Sequence, residues 1–293
     1  VIPRELLAAL RRIEITTRHL ATENLVGSYG SVFKGQGLAF QEVRQYQPGD
    51  DVRSIDWNVS ARMRETYVKI FVEEREMTVM LLVDLSRSQQ FGTRVAKKAR
   101  LAAEVAALCA FSAIKNNDRV GLILNTDQIE KIVPPKKGQK HVMRVVREIL
   151  GAQPQHHGTN LAIALQTLTR VARRRSVAFL ISDFFATGWE RSLALASARH
   201  DVIPLMLVDP RDEELVDVGL ATFEDLESGE SVIVDTSSPA VRRHYAATMR
   251  RISTQSIATF RKLGLDHCVM RTDRTYVEPL RDLFARRARR IHR

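Results

Sequence analysis

Five side chains in this 293-residue sequence could share one job: Asp84, Ser86, Ser88, Thr159 and Asp183. The first three lie in "DLSRS", directly after the apolar run "TVMLLV". Thr159 stands in "QHHGTN", just before the apolar-periodic "LAIAL", and Asp183 closes "VAFLIS". A carboxylate, two hydroxyls at alternate positions, a threonine hydroxyl and a second carboxylate make an all-oxygen donor set. That is the chemistry preferred by Mg²⁺, or by Mn²⁺. Each piece alone also suits a helix cap, because Ser, Thr and Asp accept the orphan amides of a first helical turn. All three together, at successive strand ends, favour metal. His156 and His157 stand beside Thr159, but no third nitrogen or sulfur is spaced to complete a zinc site with them. They read as solvated loop histidines.

Catalytic signatures are missing. The sequence has no G-x-x-x-x-G-K-[ST] loop, no G-x-G-x-x-G fingerprint and no H-E-x-x-H. "GSYGSVFKGQG" does not open a helix after a strand, so it makes no phosphate loop. Position 86 is Ser where an Asp-x-Asp phosphatase needs its second carboxylate. Without a general base or an activated nucleophile, the expectation is a non-catalytic binding protein.

The elements that must position these groups follow from hydrophobic period. From Met77 onward, apolar runs of strand length alternate with helical patterns: "TVMLLVDL", "RVGLILN", "VAFLISD" and "DVIPLMLVD" against "RVAKKARLAAEVAALCAFSAIK", "HVMRVVREIL", "NLAIALQTLTRVARR" and "WERSLALASARH". This predicts an α/β domain with a mostly parallel sheet and helices on both faces. Ligands of such sheets bind at the carboxyl ends of strands, where the candidate residues fall. The more polar "DQIEKIVP" reads as an edge strand. "GLATFEDLESGESVIVD" reads as a hairpin insertion near 215–236, turning at Ser228-Gly229. Residues 1–75 are expected to form a smaller module, a helix over Pro3 to His19 followed by strands "LAFQEVRQY" and "YVKIFVEERE", and residues 76–293 the α/β domain.

One segment of the smaller module is unusually dense in charge. "YQPGDDVRSIDWNVSAR" holds Asp50, Asp51, Arg53, Asp56 and Trp57. Pro48-Gly49 supports a turn whose amides Asp50 or Asp51 can accept. Read as extended chain, Arg53, Ile55 and Trp57 share a side. The segment then acts as a partly buried clamp onto the α/β domain, with Asp56 paired to Arg44 or Arg62. The rival reading makes it a binding surface for a partner.

The net charge is +11. Arg170, Arg173, Arg174 and Arg175 form one basic cluster; Arg286, Arg287, Arg289, Arg290 and Arg293 form another. Such arrays can meet nucleic acid or an anionic surface, including peripheral association with a membrane. With no interleaved aromatics, nucleic acid is the alternative and not the main expectation. Cys109 and Cys268, in "ALCAF" and "DHCVM", read as reduced core thiols. No run reaches the roughly 20 apolar residues of a spanning helix, and a cytoplasmic location is expected.

Two resemblances add to these readings. Asp84, Ser86, Ser88, Thr159 and Asp183 resemble the metal-ion-dependent adhesion site of von Willebrand factor A domains, in residue type and order. That resemblance implies a bound Mg²⁺ with one open position for a partner's Asp or Glu. Tyr46, Gly49, Asp50, Asp51, Arg53, Ile55, Asp56 and Trp57, followed by "VDLSRS" and later by "VDPRDEEL", resemble the bacterial family called domain of unknown function 58. It implies a von Willebrand A-like domain working as an adaptor, with a MoxR-type AAA+ ATPase and client proteins as partners, in protein remodelling or metal-cofactor insertion.

Overall fold

The computed structural model describes residues 38–73, 76–90, 98–156, 158–224 and 231–291. They fall into two compact units that divide between Met77 and Thr78. The expected helix over Pro3 to His19 lies outside the described residues.

In the small unit β1 (Leu38–Gln45) and β2 (Tyr67–Glu73) pair antiparallel, with Gln45 opposite Tyr67. The charged segment fills the connection, and each aspartate has a local task. Asp50 takes both Arg44 guanidinium nitrogens, at 2.8 and 2.6 Å, and the amide of Gln47 at 2.8 Å. Asp51 accepts the Arg53 amide and opens a 3-10 turn over Val52–Ser54. Asp56 accepts the amides of Asn58 and Val59 and so caps α1 (Trp57–Met63).

These findings correct the extended reading of Val52 to Trp57. Asp51 and Asp56 are strong N-cap residues, and the chain curls into two short helical pieces behind them. Asp56 lies 3.5 Å from Lys69, not against Arg44 or Arg62. Arg53 is exposed, and Trp57 keeps 68% of its surface in solvent.

The large unit is built on a six-stranded sheet. Its strands are β3 (Thr78–Asp84), β4 (Arg119–Asn125), β5 (Ile129–Lys136), β6 (Val177–Ser182), β7 (Asp201–Val208) and β10 (Cys268–Arg271), in the order β10-β7-β6-β3-β4-β5. All neighbours are parallel except β5, the antiparallel edge strand that its polar sequence predicts. From β3 the chain builds outward through β4 to β5, then returns to the other side of β3 and builds through β6 and β7 to β10. The strand order along the chain therefore reverses between the parallel neighbours β3 and β6. Their carboxyl ends flank the crevice where open α/β sheets bind ligands.

Helices cover both faces. Met80, Leu82, Ala178 and Leu180 point into one buried cluster with α4 (Leu161–Val171), α5 (Glu190–Arg199) and Phe260 of α7 (Pro239–Lys262). On the opposite face lie α2 (Lys98–Lys115), α3 (Gln139–Leu150) and α8 (Val277–Ile291), where Phe284 meets Phe179 edge to face at 6.3 Å. β3 and β6 are apolar on both sides because both sides are covered. Each large side chain buried there contributes about 1.5–3 kcal/mol.

A four-residue helix, α6 (Pro210–Glu213), follows β7 directly. The expected hairpin is β8 (Leu220–Glu224) with β9 (Ser231–Asp235); its turn at Ser228-Gly229 lies outside the described residues. Leu220 and Ile233 are more than 70% exposed on it.

Candidate functional site

The site grows from the reversal between β3 and β6. Asp84 is the last residue of β3 and is buried. Its Oδ1 accepts the Ser86 amide at 2.9 Å, and its Oδ2 accepts the Ser182 hydroxyl at 2.6 Å. The latter bond ties the two strand ends across the crevice. Ser86 and Ser88 bring their hydroxyl oxygens to 2.9 Å of each other. Burial, and next the charge of Asp183, push the Asp84 carboxyl up to about 6.

Asp183 follows β6 and is fully buried. Its Oδ1 accepts the Phe185 amide at 3.3 Å, and its Oδ2 lies 2.8 Å from the ammonium of Lys98. Lys98 also reaches Asp212 Oδ2 at 3.1 Å and lies 4.9 Å from the centre of the Phe185 ring. Asp212 in turn accepts the Asp209 amide at 2.9 Å, and Asp209 accepts the Thr272 hydroxyl at 2.5 Å. The Lys98 side chain is 1% exposed. Burial works against its charge, but the two carboxylates outweigh burial and hold its pKa above the usual lysine value. Burial raises the Asp212 pKa, against the pull of Lys98.

Thr159 is half-buried in the loop before α4. That loop is held at the carboxyl end of β4, where the Asn160 amide donates to the Thr126 carbonyl at 3.0 Å. Asn160, not Thr159, caps α4 through the Ile163 amide. Asp84, Ser86, Ser88 and Asp183 thus come together at the crevice, and the Thr159 loop stands at the same carboxyl end of the sheet.

The donor chemistry fits a hard divalent cation at Asp84, Ser86 and Ser88, whose oxygens cluster at a strand end. Among the described residues no three His, Cys, Asp or Glu side chains are grouped to hold a metal. Any ion here would therefore depend on the hydroxyls. At Asp183 a positive charge is already supplied by Lys98.

Lys98, Ser182 and Asp212 were not anticipated. Lys98 stands in "AKKAR", which reads as a solvated basic pair; Ser182 reads as an ordinary strand residue; Asp212 lies in a charged run, "DPRDEE". His156, expected to be solvated, is half-buried with Nδ1 3.1 Å from Glu130, and His157 lies outside the described residues. The C-terminal arginines are partly spent on structure. Arg287 is 5% exposed and pairs with Asp201 and with Asp266, and Arg290 also reaches Asp266. Arg173, Arg174 and Arg175 remain exposed. No helix among the described residues is long and apolar enough to cross a membrane.

Comparison with known proteins places this architecture in a family. The model of the family described as "Protein of unknown function DUF58" matches residues 42–255. The uncharacterized protein Rv1480 of Mycobacterium tuberculosis is 35% identical over 289 residues, which cover 97% of this chain and 90% of that protein. The uncharacterized protein YeaD of Bacillus subtilis is 27% identical over 202 residues, 69% of this chain and 47% of that one. Among solved structures, the conserved hypothetical protein BatB from Bacteroides thetaiotaomicron matches 73% of this chain and 99% of its own, at 13% identity and a TM-score of 0.45. The SpRpn10 VWA domain matches 72% of this chain and 95% of its own, at 12% identity and a TM-score of 0.38.

Proposed function

The chain belongs to the DUF58 family, and from that premise we propose that it is a non-catalytic, metal-dependent adaptor that captures an acidic side chain of a protein partner. One observation carries the reading. The clustered oxygens of Asp84, Ser86 and Ser88 stand at the carboxyl ends of β3 and β6, where the strand order reverses. When bound, Mg²⁺ or Mn²⁺ supplies a Lewis-acidic centre that a partner's Asp or Glu can complete. Asp84 would hold the ion with the hydroxyls of Ser86 and Ser88, with Thr159 contributing from the α4 loop. Ser182 keeps the Asp84 carboxylate oriented across the crevice.

The partner class follows from the family resemblance: a MoxR-type AAA+ ATPase, with client proteins presented to it for remodelling or metal-cofactor insertion. The exposed Arg53 and Trp57 of the small unit suit a second contact area for that partner. The test is a pull-down with wild type and Asp84→Ala, in Mg²⁺ or in EDTA, with captured proteins identified by mass. An ATPase retained only by wild type with Mg²⁺ is the expected result. Equal capture by the folded variant, or in EDTA, would sink the metal-dependent reading.

A further inference from the structure

Lys98 belongs to no part of the oxygen cluster as derived above, yet it is among the most deeply buried charges in the chain. Its ammonium lies 2.8 Å from Asp183 and 3.1 Å from Asp212, with side-chain exposures of 1%, 0% and 8% for the three. Burying a lysine is costly unless close carboxylates repay it, so the arrangement is tightly specified. It also determines what Asp183 is free to do. One of its oxygens is held by Lys98 and the other by the Phe185 amide.

We propose that Lys98 is a built-in cation that keeps Asp183 from coordinating a divalent metal, so that the site binds its ion weakly until Lys98 is drawn toward Asp212. This rests on the metal reading of Asp84, Ser86 and Ser88 and specifies how that site is regulated. Charge supports it. Asp84, Asp183 and Asp212 carry three negative charges when ionised and Lys98 one positive, so the ion meets a weaker field than the carboxylates alone would give. Asp212 is the alternative seat for the ammonium. It takes the Asp209 amide as well, and Asp209 is fastened to Thr272, so that seat is anchored to the ends of β7 and β10.

A purely structural role for the triad predicts unchanged metal affinity in any variant that folds. The proposal predicts opposite changes in two variants. Lys98→Met with Asp212→Asn removes one charge of each sign and leaves Asp183 available. Asp212→Asn alone leaves Lys98 wholly on Asp183. Titration with MnCl₂ by calorimetry, with folding checked by circular dichroism, should give the double variant a Kd at least about tenfold below wild type, and the single variant a Kd severalfold above it.

If wild type binds Mn²⁺ and the folded double variant binds it no tighter, the role given to Lys98 is wrong and the metal reading survives. If only the double variant binds, the role of Lys98 stands and the resting protein is not a metal binder. If neither binds, both fail. Should the double variant not fold, Asp212→Asn decides: a Kd equal to or below that of wild type overturns the proposal.

Discussion

Replacing Asp84 by Asn should stabilise the folded chain at neutral pH when divalent metal is withheld. Asp84 is buried and its pKa rises from 3.8 to about 6, through burial first and Asp183 second. A group whose folded pKa is raised contributes stability that is complete below its unfolded pKa and is lost as pH rises through the folded one. The loss here runs from about pH 4 to somewhat above pH 6. At about 1.4 kcal/mol for each tenfold, ionised Asp84 costs the folded state about 3 kcal/mol at pH 7.5.

Asparagine keeps Oδ1 for the Ser86 amide, but its Nδ2 must donate to Ser182 Oγ, which already accepts the Phe184 amide at 3.1 Å. The Ser182 proton then needs a new acceptor, at a cost of about 1 kcal/mol. The net gain is about 2 kcal/mol, or about 4–8 °C in Tm for a domain of this size. Thermal unfolding in EDTA should show the variant melting above wild type at pH 7.5 and the gap closing near pH 4. With Mn²⁺ added at neutral pH, wild type should gain stability and the variant should not. A variant that melts below wild type at pH 7.5 in EDTA would refute the idea that this carboxylate is kept at a cost to stability.

Other outcomes follow from the same geometry. Lys98→Met alone leaves two carboxylates facing each other and should cost about 3–5 kcal/mol in denaturant unfolding, part of it recovered when Mn²⁺ is present. His200 is buried with both ring nitrogens unpartnered, and burial, then Arg199 and Arg175, lower its pKa. Its contribution to stability is therefore present above about pH 6.5 and lost as pH falls, and His200→Leu should flatten the acid side of the stability profile. Cys109 and Cys268 are buried, free thiols whose pKa values burial raises, the latter to about 12; a thiol reagent should label neither until the chain unfolds. Trp57→Ala should leave the melting temperature unchanged and, if the small unit meets the ATPase, weaken its capture.

The sheet and its helices were legible because burial on two faces forces near-continuous apolar strands, and "TVMLLV" and "VAFLIS" admit little else. The edge strand was legible for the converse reason, since "IEKIVPPK" mixes charged with apolar residues, and of these only Val133 is fully buried. Asp84, Ser86 and Ser88 are neighbours in the chain, so the cluster they form follows from the type of element alone. Lys98 and Asp212 come from elements that meet only after folding, and a lysine whose partner is 114 residues away carries no local mark. The charged segment misled for a different reason. Alternation suggested an extended chain, but Asp51 and Asp56 terminate that pattern by accepting amides two and three residues on. Local side-chain hydrogen bonds override period where the segment is short.

The residue after Asp183 shows how an apolar core can hold a polar cluster in place. Phe184 adopts a left-handed backbone, with φ of 60°, which costs a non-glycine residue about 1–3 kcal/mol. Its ring is buried edge to face against Trp189 at 5.4 Å and Phe260 at 4.9 Å, a burial that contributes about as much as the strain costs. The reversal sends Phe184 into the core cluster on one side of the sheet, while the next residue, Phe185, lies beside Lys98. Two adjacent aromatics therefore fix the chain on either side of the crevice. Asp183, directly before them, is held by core packing as well as by Lys98, its charge partner.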